Sequence, residues 1–353
     1  MKIKIHSSEL NRMMKTVVQC IDSRHQSYGN ISVIYDNNLL AIRGTNGFFS
    51  AVMSTPVLGG DGESFCVDGT MFARVCGMCS GEIEIETDGK VCTIRGAGRT
   101  RLPIVNASIP DYMPVNGTAI TILADDFARC YSKTAFAISQ DQSRMVLTGA
   151  LLDSGETGIR FVTLDGFKMS IEKTDGSFDK VSAVVPGSFL KLVKDSTYSG
   201  DEITMYIGDG KFEARTDGMM INCGLLVGDF PDYDRILPTE FKSECIVKTE
   251  DLRTALKSAS TVNSANNLVK FAISETEMTV MSNSEQADYE MTIPCQMTGN
   301  PLKIAFNQKF MMQVIDSVSS DDAVMKFNLS TSPCVINGKD ENGIRLVLPV
   351  RVQ

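Results

Sequence analysis

Few residue groups in this chain have the types and spacing that chemistry requires. The two histidines, His6 and His25, stand neither at a metal-ligand spacing nor beside a candidate nucleophile. Cys76-Gly77-Met78-Cys79 has the spacing of a redox pair, whose thiolate a helix N-terminus would stabilise. Here the pair falls at the C-terminal end of a helical pattern, where the dipole disfavours a thiolate. Two core cysteines are the plainer reading, and a redox enzyme the competing one. Gly96-Ala97-Gly98-Arg99-Thr100-Arg101 resembles part of a phosphate-cradling loop, yet it lacks a third glycine, and residues 102–105 read as strand rather than helix. A hairpin turn fits better. Asp125-Asp126 and Ser319-Ser320-Asp321-Asp322 could hold a cation, but the first also fits a helix cap and the second a solvated turn. With no acid–base, nucleophile or metal set, the expectation is a non-enzyme without catalytic residues, cofactor or metal.

Composition narrows what remains. At 353 residues the chain exceeds one ordinary core and fits two or three domains. Hydrophobic residues at 43% and charged residues at 22% describe a globular protein whose domains can each bury a core. A formal net charge of −9 excludes a protein that grips nucleic acid over its whole surface, since such affinity comes from neutralising phosphates. Any nucleic-acid binding is therefore local or topological. Lys2 and Lys4 have no apolar run behind them, and no stretch approaches the ~20 apolar residues of a membrane span. Neither export nor a membrane partner is expected, the expected location is the cytoplasm, and the 10 scattered cysteines are expected to be reduced.

The elements that must position any site recur three times. Leu10, Met13, Met14, Val17, Val18 and Ile21 repeat at helical spacing, with Arg12, Lys15 and Gln19 off the apolar face. The pattern returns at Phe127, Cys130, Tyr131, Thr134 and Ile138, with Arg129 and Lys133 outside, and at Leu252, Ala255, Leu256 and Ala259, with Arg253 and Lys257 outside. A second helix is expected over 68–79, 186–197 and 307–318; its anchors Met71, Phe189 and Phe310 are 118 and 121 residues apart. Strand-like runs at 31–43, 158–163 and 268–281 lead to turns at Asn46-Gly47-Phe48, Asp165-Gly166-Phe167 and Asn283-Ser284. Ile109-Pro110-Asp111-Tyr112 recurs as Phe230-Pro231-Asp232-Tyr233, a step of 121. A period of about 120 residues makes the chain three copies of one α+β domain, each with two helices backed by antiparallel sheets. The expected domains are 1–117, 118–241 and 242–353, with linkers at 114–117 and 238–241 where Pro, Gly and polar residues break the pattern.

Tripled α+β domains of this size, without catalytic groups, resemble the beta sliding clamp of bacterial DNA polymerase III over the whole chain. The resemblance is carried by Val184-Val185-Pro186, by Gly228-Asp229-Phe230-Pro231-Asp232-Tyr233-Asp234-Arg235-Ile236-Leu237-Pro238, and by the C-terminal Leu346-Val347-Leu348-Pro349-Val350-Arg351. It implies half of a six-domain ring, a head-to-tail homodimer around double-stranded DNA with helices toward the hole and sheets outside. It also implies tethering of a DNA polymerase catalytic subunit, a clamp loader and other clamp-motif proteins, which confers processivity. The off-face cations Arg12, Lys15, Arg129, Lys133, Lys191, Lys194, Arg253 and Lys257 would then line the hole, where weak, screened contacts permit sliding. Taken alone, these cations read as solvated helix surface.

Site residues follow from the resemblance position by position. Arg24, Gln140, Arg144, Lys191 and Lys194 are implied at the DNA, although Ser139-Gln140-Asp141-Gln142-Ser143 departs from the family in detail. A groove for a short partner peptide is implied at Leu147, Leu164, Gly166, Phe167, Lys168, Met169, Pro231, Arg235, Ile236, Leu346, Leu348, Pro349, Val350, Arg351 and Val352. The family's Thr-Asp-Gly-His-Arg-Leu reads here Leu164-Asp165-Gly166-Phe167-Lys168-Met169, which exchanges a guanidinium fork for a point charge, and Gln353 extends the tail by one residue. Without the family, Phe167 and Met169 read as strand residues of a core. The dimer contact is implied at Leu102 on one side and Thr261 and Val262 on the other; Thr261 replaces a large aliphatic, which predicts a looser ring. A repeat protein that shares the fold without binding DNA is the competing reading, since fold alone does not set function.

Overall fold

The structure is a computed structural model that describes residues 2–25, 28–57, 63–96, 98–262 and 267–351. The first repeat runs β1 (Lys2–His6), α1 (Ser7–Val17), β2 (Asn30–Asp36), β3 (Leu39–Thr45), β4 (Phe49–Pro56), β5 (Glu63–Asp68), α2 (Gly69–Gly77), β6 (Glu82–Thr87), β7 (Val91–Arg95) and β8 (Arg99–Pro103). The second has the same order: β9 (Thr118–Leu123), α3 (Ala124–Thr134), β10 (Gly149–Gly155), β11 (Gly158–Leu164), β12 (Lys168–Thr174), β13 (Ser182–Pro186), α4 (Gly187–Ser196), β14 (Glu202–Gly208), β15 (Lys211–Thr216) and β16 (Met219–Gly224). So does the third: β17 (Ser243–Lys248), α5 (Thr249–Ala259), β18 (Leu268–Ile273), β19 (Glu277–Asn283), β20 (Asp288–Gly299), β21 (Leu302–Asn307), α6 (Gln308–Asp316), β22 (Asp322–Phe327), β23 (Cys334–Gly338) and β24 (Ile344–Val347).

Strand pairing repeats with the same fidelity. In the first repeat the orders are β5-β2-β3-β4 and β1-β6-β7-β8, and the corresponding strands of the other two follow suit. β4 then pairs antiparallel with β16, and β12 with β24, so a sheet of one repeat continues into a sheet of the next. The chain divides into two compact units, Met1–Ala128 with Ser188–Leu225, and Arg129–Gly187 with Leu226–Gln353. The division falls inside the middle repeat, since each of those two ladders lies wholly within one unit.

Local chemistry explains the recurrence. The first N–H of each long helix finds the same kind of acceptor: Ser7 donates to Gly81 O, Ala124 to Asp201 O and Thr249 to Asp321 O, at 2.8, 2.8 and 2.9 Å. Asp68 caps α2 by accepting from Met71 N–H at 2.7 Å, and Asn307 caps α6 through Lys309 N–H at 3.0 Å. In each repeat one polar side chain also closes the turn before the fourth strand. Asn46 Oδ1 accepts from Phe48 and Phe49, Asp165 Oδ1 from Phe167 and Lys168, and Ser284 Oγ from Gln286 and Ala287. The third landmark is therefore Ser284 rather than Asn283, and the spacing is 119 residues both times.

The helices are shorter than their apolar periodicity. α1 and α3 give way to tight 3-10 turns at Val18–Cys20 and Ala135–Ala137, leaving Ile21 and Ile138 beyond the helix; Thr134 Oγ1 takes the Cys130 carbonyl at 2.7 Å where α3 ends. Cys76 is buried and Cys79 lies past α2; burial pushes the Cys76 thiol up, which suits a core residue. β7 and β8 pair antiparallel, with Arg95 opposite Arg99, as a hairpin requires; Ala97 of the expected turn lies outside the described residues. Asp125 receives Ser199 Oγ and Gly200 N–H at 3.0 and 3.1 Å, tying a loop to α3. Among the described residues no group of His, Cys, Asp or Glu could hold a metal, and no helix is long and apolar enough to cross a membrane.

Candidate functional site

The residues implied at the peptide groove all lie in the second unit, and Val352 falls outside the described residues. The site grows from one ladder. β12 and β24 pair Met169 with Leu346, Ser170 with Arg345 and Ile171 with Ile344. Side chains alternate across a sheet, so the apolar four share one face while Ser170 and Arg345 share the other. The apolar face joins Leu147, Leu151, Val162, Leu164, Val184 and Tyr233 in one cluster, with Leu226, Phe230, Leu237 and Leu348 half-buried at its margin. Leu147, Leu164, Met169 and Leu346 are thus brought together and buried. Around them Phe167, Ile236 and Val350 stay 57%, 39% and 40% exposed. An exposed apolar rim over an apolar floor can exchange water for a peptide's apolar anchors.

Backbone bonds hold that rim. The Asp165 turn sets Gly166 at φ +91, which glycine adopts without strain, and Phe167 stacks on Phe310 with centroids 5.6 Å apart. Leu348 N–H donates to Phe167 O at 2.9 Å and Val350 N–H to Ala305 O at 2.8 Å, which straps the tail between that turn and β21. Pro231 and Pro349 are half-buried, Arg351 is exposed, and exposed Arg235 pairs with Asp232 at 2.9 Å. Lys168 departs from expectation. Strand alternation turns it away from Met169, and it is 5% exposed, its ammonium donating to Phe136 O at 2.8 Å and to Asp165. It locks the turn and offers the groove no free charge.

Tyr233 anchors the loop beside the groove. Its hydroxyl donates to Asp153 Oδ2 at 2.9 Å, where Arg160 Nη2 also donates at 2.6 Å; burial, then that carboxylate, push the phenol up. In the first unit Tyr112 does the same toward Glu213 Oε2 at 3.0 Å. Repetition of Pro-Asp-Tyr flags Tyr233 in the sequence. Nothing local flags Leu226 or Phe310, which reach the groove only through tertiary packing.

Beneath the ladder lies a buried ion network. Arg345 Nη2 is 2.9 Å from Glu172 Oε1 and 2.9 Å from Glu341 Oε2; the second contact lacks hydrogen-bond geometry and is an ion pair. Arg129 Nη1 reaches Glu172 Oε2 at 3.1 Å and Lys133 Nζ reaches Glu341 Oε1 at 2.9 Å. Burial raises the Glu172 carboxyl against the pull of Arg345, Lys133 and Arg129. At Glu341 burial acts the same way but is outweighed by Lys133, Arg345 and the Ser319 N–H, and its carboxyl is held below the ordinary value.

The network corrects the expected basic surface, because Arg129 and Lys133 spend their charge on carboxylates that a single buried guanidinium, Arg345, would otherwise have to share. In the first unit Arg24 is exposed beside Asp22 at 3.1 Å, Lys191 is exposed and pairs with Asp195, Lys194 is half-buried 4.0 Å from Asp195, Arg12 pairs with Glu9 at 3.0 Å, and Lys15 is exposed. In the second, Gln140, Arg144 and Lys257 are exposed, while Arg253 pairs with Glu250 and with Asp316 at 3.1 Å. Leu102 is buried opposite Cys92, so it faces its own core; Thr261 is exposed and Val262 half-buried.

Repeated α+β domains joined edge to edge, with an exposed apolar rim over a buried apolar cluster where two of them share a sheet, define the sliding-clamp class. Residues 121–232 match the family profile of the DNA polymerase III beta subunit central domain, and 234–351 that of its C-terminal domain. The Vibrio cholerae beta sliding clamp is 24% identical over 100% of both chains. Crystal structures of the Thermotoga maritima beta subunit, 22% identical with a TM-score of 0.93, and of a Pseudomonas aeruginosa sliding clamp bound to griselimycin, 20% identical with a TM-score of 0.94, each cover 100% of both chains. The chain belongs to the beta sliding clamp family of bacterial DNA polymerase III.

Proposed function

We propose that this chain is a processivity clamp, a homodimeric ring that encircles double-stranded DNA, performs no bond chemistry, and tethers a replicative polymerase, a clamp loader and other partners through the groove of Leu147, Leu164, Met169, Leu346 and Leu348. Its domains are 1–117, 118–241 and 242–353, and it works in the cytoplasm. Arg24, Gln140, Arg144, Lys191 and Lys194 supply sequence-independent contacts whose weakness lets the ring slide.

The observation that carries this reading is a pair of open strand edges. The β4–β16 and β12–β24 ladders each close a junction between successive repeats. Among the described residues the corresponding edges of β8, and of β20 over 288–294, have no strand partner. Unpaired edges invite another chain. Ile104 N–H donates to Lys90 O as Leu225 N–H does to Gly210 O, so Leu102 corresponds to Cys223. Carried onto β8 of one copy and β20 of another, the β4–β16 register sets Arg101 opposite Asp288 and Arg99 opposite Glu290, all four exposed in the single chain. Two such contacts close a symmetric dimer.

The test is retention on nicked circular DNA after loading by a cognate clamp loader. A ring stays on circles and runs off once they are linearised. Equal behaviour on both would sink the ring and favour a repeat protein that shares only the fold.

A further inference from the structure

A second hollow lies beside the groove, on the outer face of β18, β19 and β21, with a volume of about 540 Å³. Strand register builds it: Lys270 pairs with Ala305 on β21 and with Met281 on β19. Ser330 and Thr331 add hydroxyls, and Val350 and Arg351 of the tail line it as well. Because Val350 N–H donates to Ala305 O at 2.8 Å, one short stretch of tail borders both the groove and this hollow.

Its charge is unusual for so acidic a chain. Lys270, Lys303 and Arg351 all line it, and among the described residues none has a carboxylate within ion-pair distance. The nearest acid by register on the neighbouring strand is Glu290, opposite Met281, which the dimer register assigns to Arg99 of a second copy. Glu277 lines a separate hollow that shares only its Lys303 end, with Ala272 and Thr279. Three such cations around an apolar bed of Ala305, Met281 and Val350 match a ligand with carboxylates on methylene stems.

We propose that this hollow takes an acidic segment, rich in Asp or Glu, that flanks the apolar anchors of a partner peptide seated in the groove. The proposal rests on the groove reading and extends it. Continuity through Val350 and Arg351 gives one peptide a path to both sites, and the three cations attract an acidic flank locally although the chain carries a net charge of −9.

The test compares an anchor peptide carrying Leu and Phe, the same peptide with a tetraglutamate extension at either end, and tetraglutamate alone, by fluorescence anisotropy at low ionic strength on the full chain. One extended peptide should bind about tenfold tighter than the anchor peptide, and K270Q/K303Q should abolish that gain while binding the plain anchor peptide as before. No gain, or a gain the double variant keeps, overturns the proposal. A ¹³C-methyl signal from Met281 gives an independent readout. If the anchor peptide fails to bind, the groove reading falls, yet a Met281 shift with tetraglutamate still supports the acidic pocket and its absence rejects it. A larger Met281 shift with short duplex DNA than with tetraglutamate overturns the peptide assignment in favour of nucleic acid.

Discussion

Arg345 and Glu172 meet at 2.9 Å where water does not reach either side chain, 0% and 3% exposed. They lie on the reverse of the ladder whose front is the groove, so the pair pins β12 to β24 from behind. Glu172→Ala leaves a buried guanidinium with less compensation and is expected to cost about 3–5 kcal/mol. Urea unfolding measures it, and a loss under about 1 kcal/mol would mean that Glu341 alone satisfies Arg345. Glu172→Leu with Arg345→Met should recover most of the loss.

Glu341 gives stability a dependence on acid. Its carboxyl sits below the ordinary value because Lys133, Arg345 and the Ser319 N–H outweigh burial. With the folded value the lower one, its stabilisation is complete above the ordinary carboxylate range and fades as pH falls through the folded value. Melting temperature should drop less steeply in Glu341→Gln than in the parent between about pH 6 and about pH 3. Parallel curves would show that other carboxylates govern acid unfolding.

Two tyrosines in equivalent motifs should respond unequally. Glu213 is fully buried and accepts from Tyr112 at 3.0 Å and from Val115 N–H at 2.9 Å, so Tyr112→Phe is expected to cost about 1–3 kcal/mol. Each carboxylate keeps an arginine, Arg215 at Glu213 and Arg160 at Asp153, but Asp153 is partly exposed and water can replace the lost hydroxyl, so Tyr233→Phe should cost less. Equal losses in chemical denaturation would contradict this difference in solvation.

Phe167 is exposed on Phe310, so Phe167→Ala should leave the melting temperature nearly unchanged while weakening an anchor peptide by about 2 kcal/mol. Isothermal titration separates the two effects. Undiminished affinity would remove Phe167 from the groove.

The dimer register makes a charge-reversal prediction. Arg101→Glu should raise the dimer dissociation constant at least about tenfold in sedimentation velocity, and adding Asp288→Arg should restore most of it. No rescue by the second reversal would show that these residues do not face each other.

The period, the apolar helix faces and the turn positions are legible in the order of residues, because helical spacing, capping and turn chemistry act over a few residues. The Ser284 turn shows the limit of that reading, since a hydroxyl does there what Asn46 and Asp165 do with larger groups, and only the bonds reveal the register. Which way Lys168 points, why Arg345 can be buried, and that Arg129 and Lys133 pair with carboxylates emerge only when distant strands pack. Each depends on β12 meeting β24 across 175 residues of chain, from Ser170 to Arg345, in one register and not the next. A slip of one residue would exchange the groove face with the ion-pair face, and only the packed core selects between them.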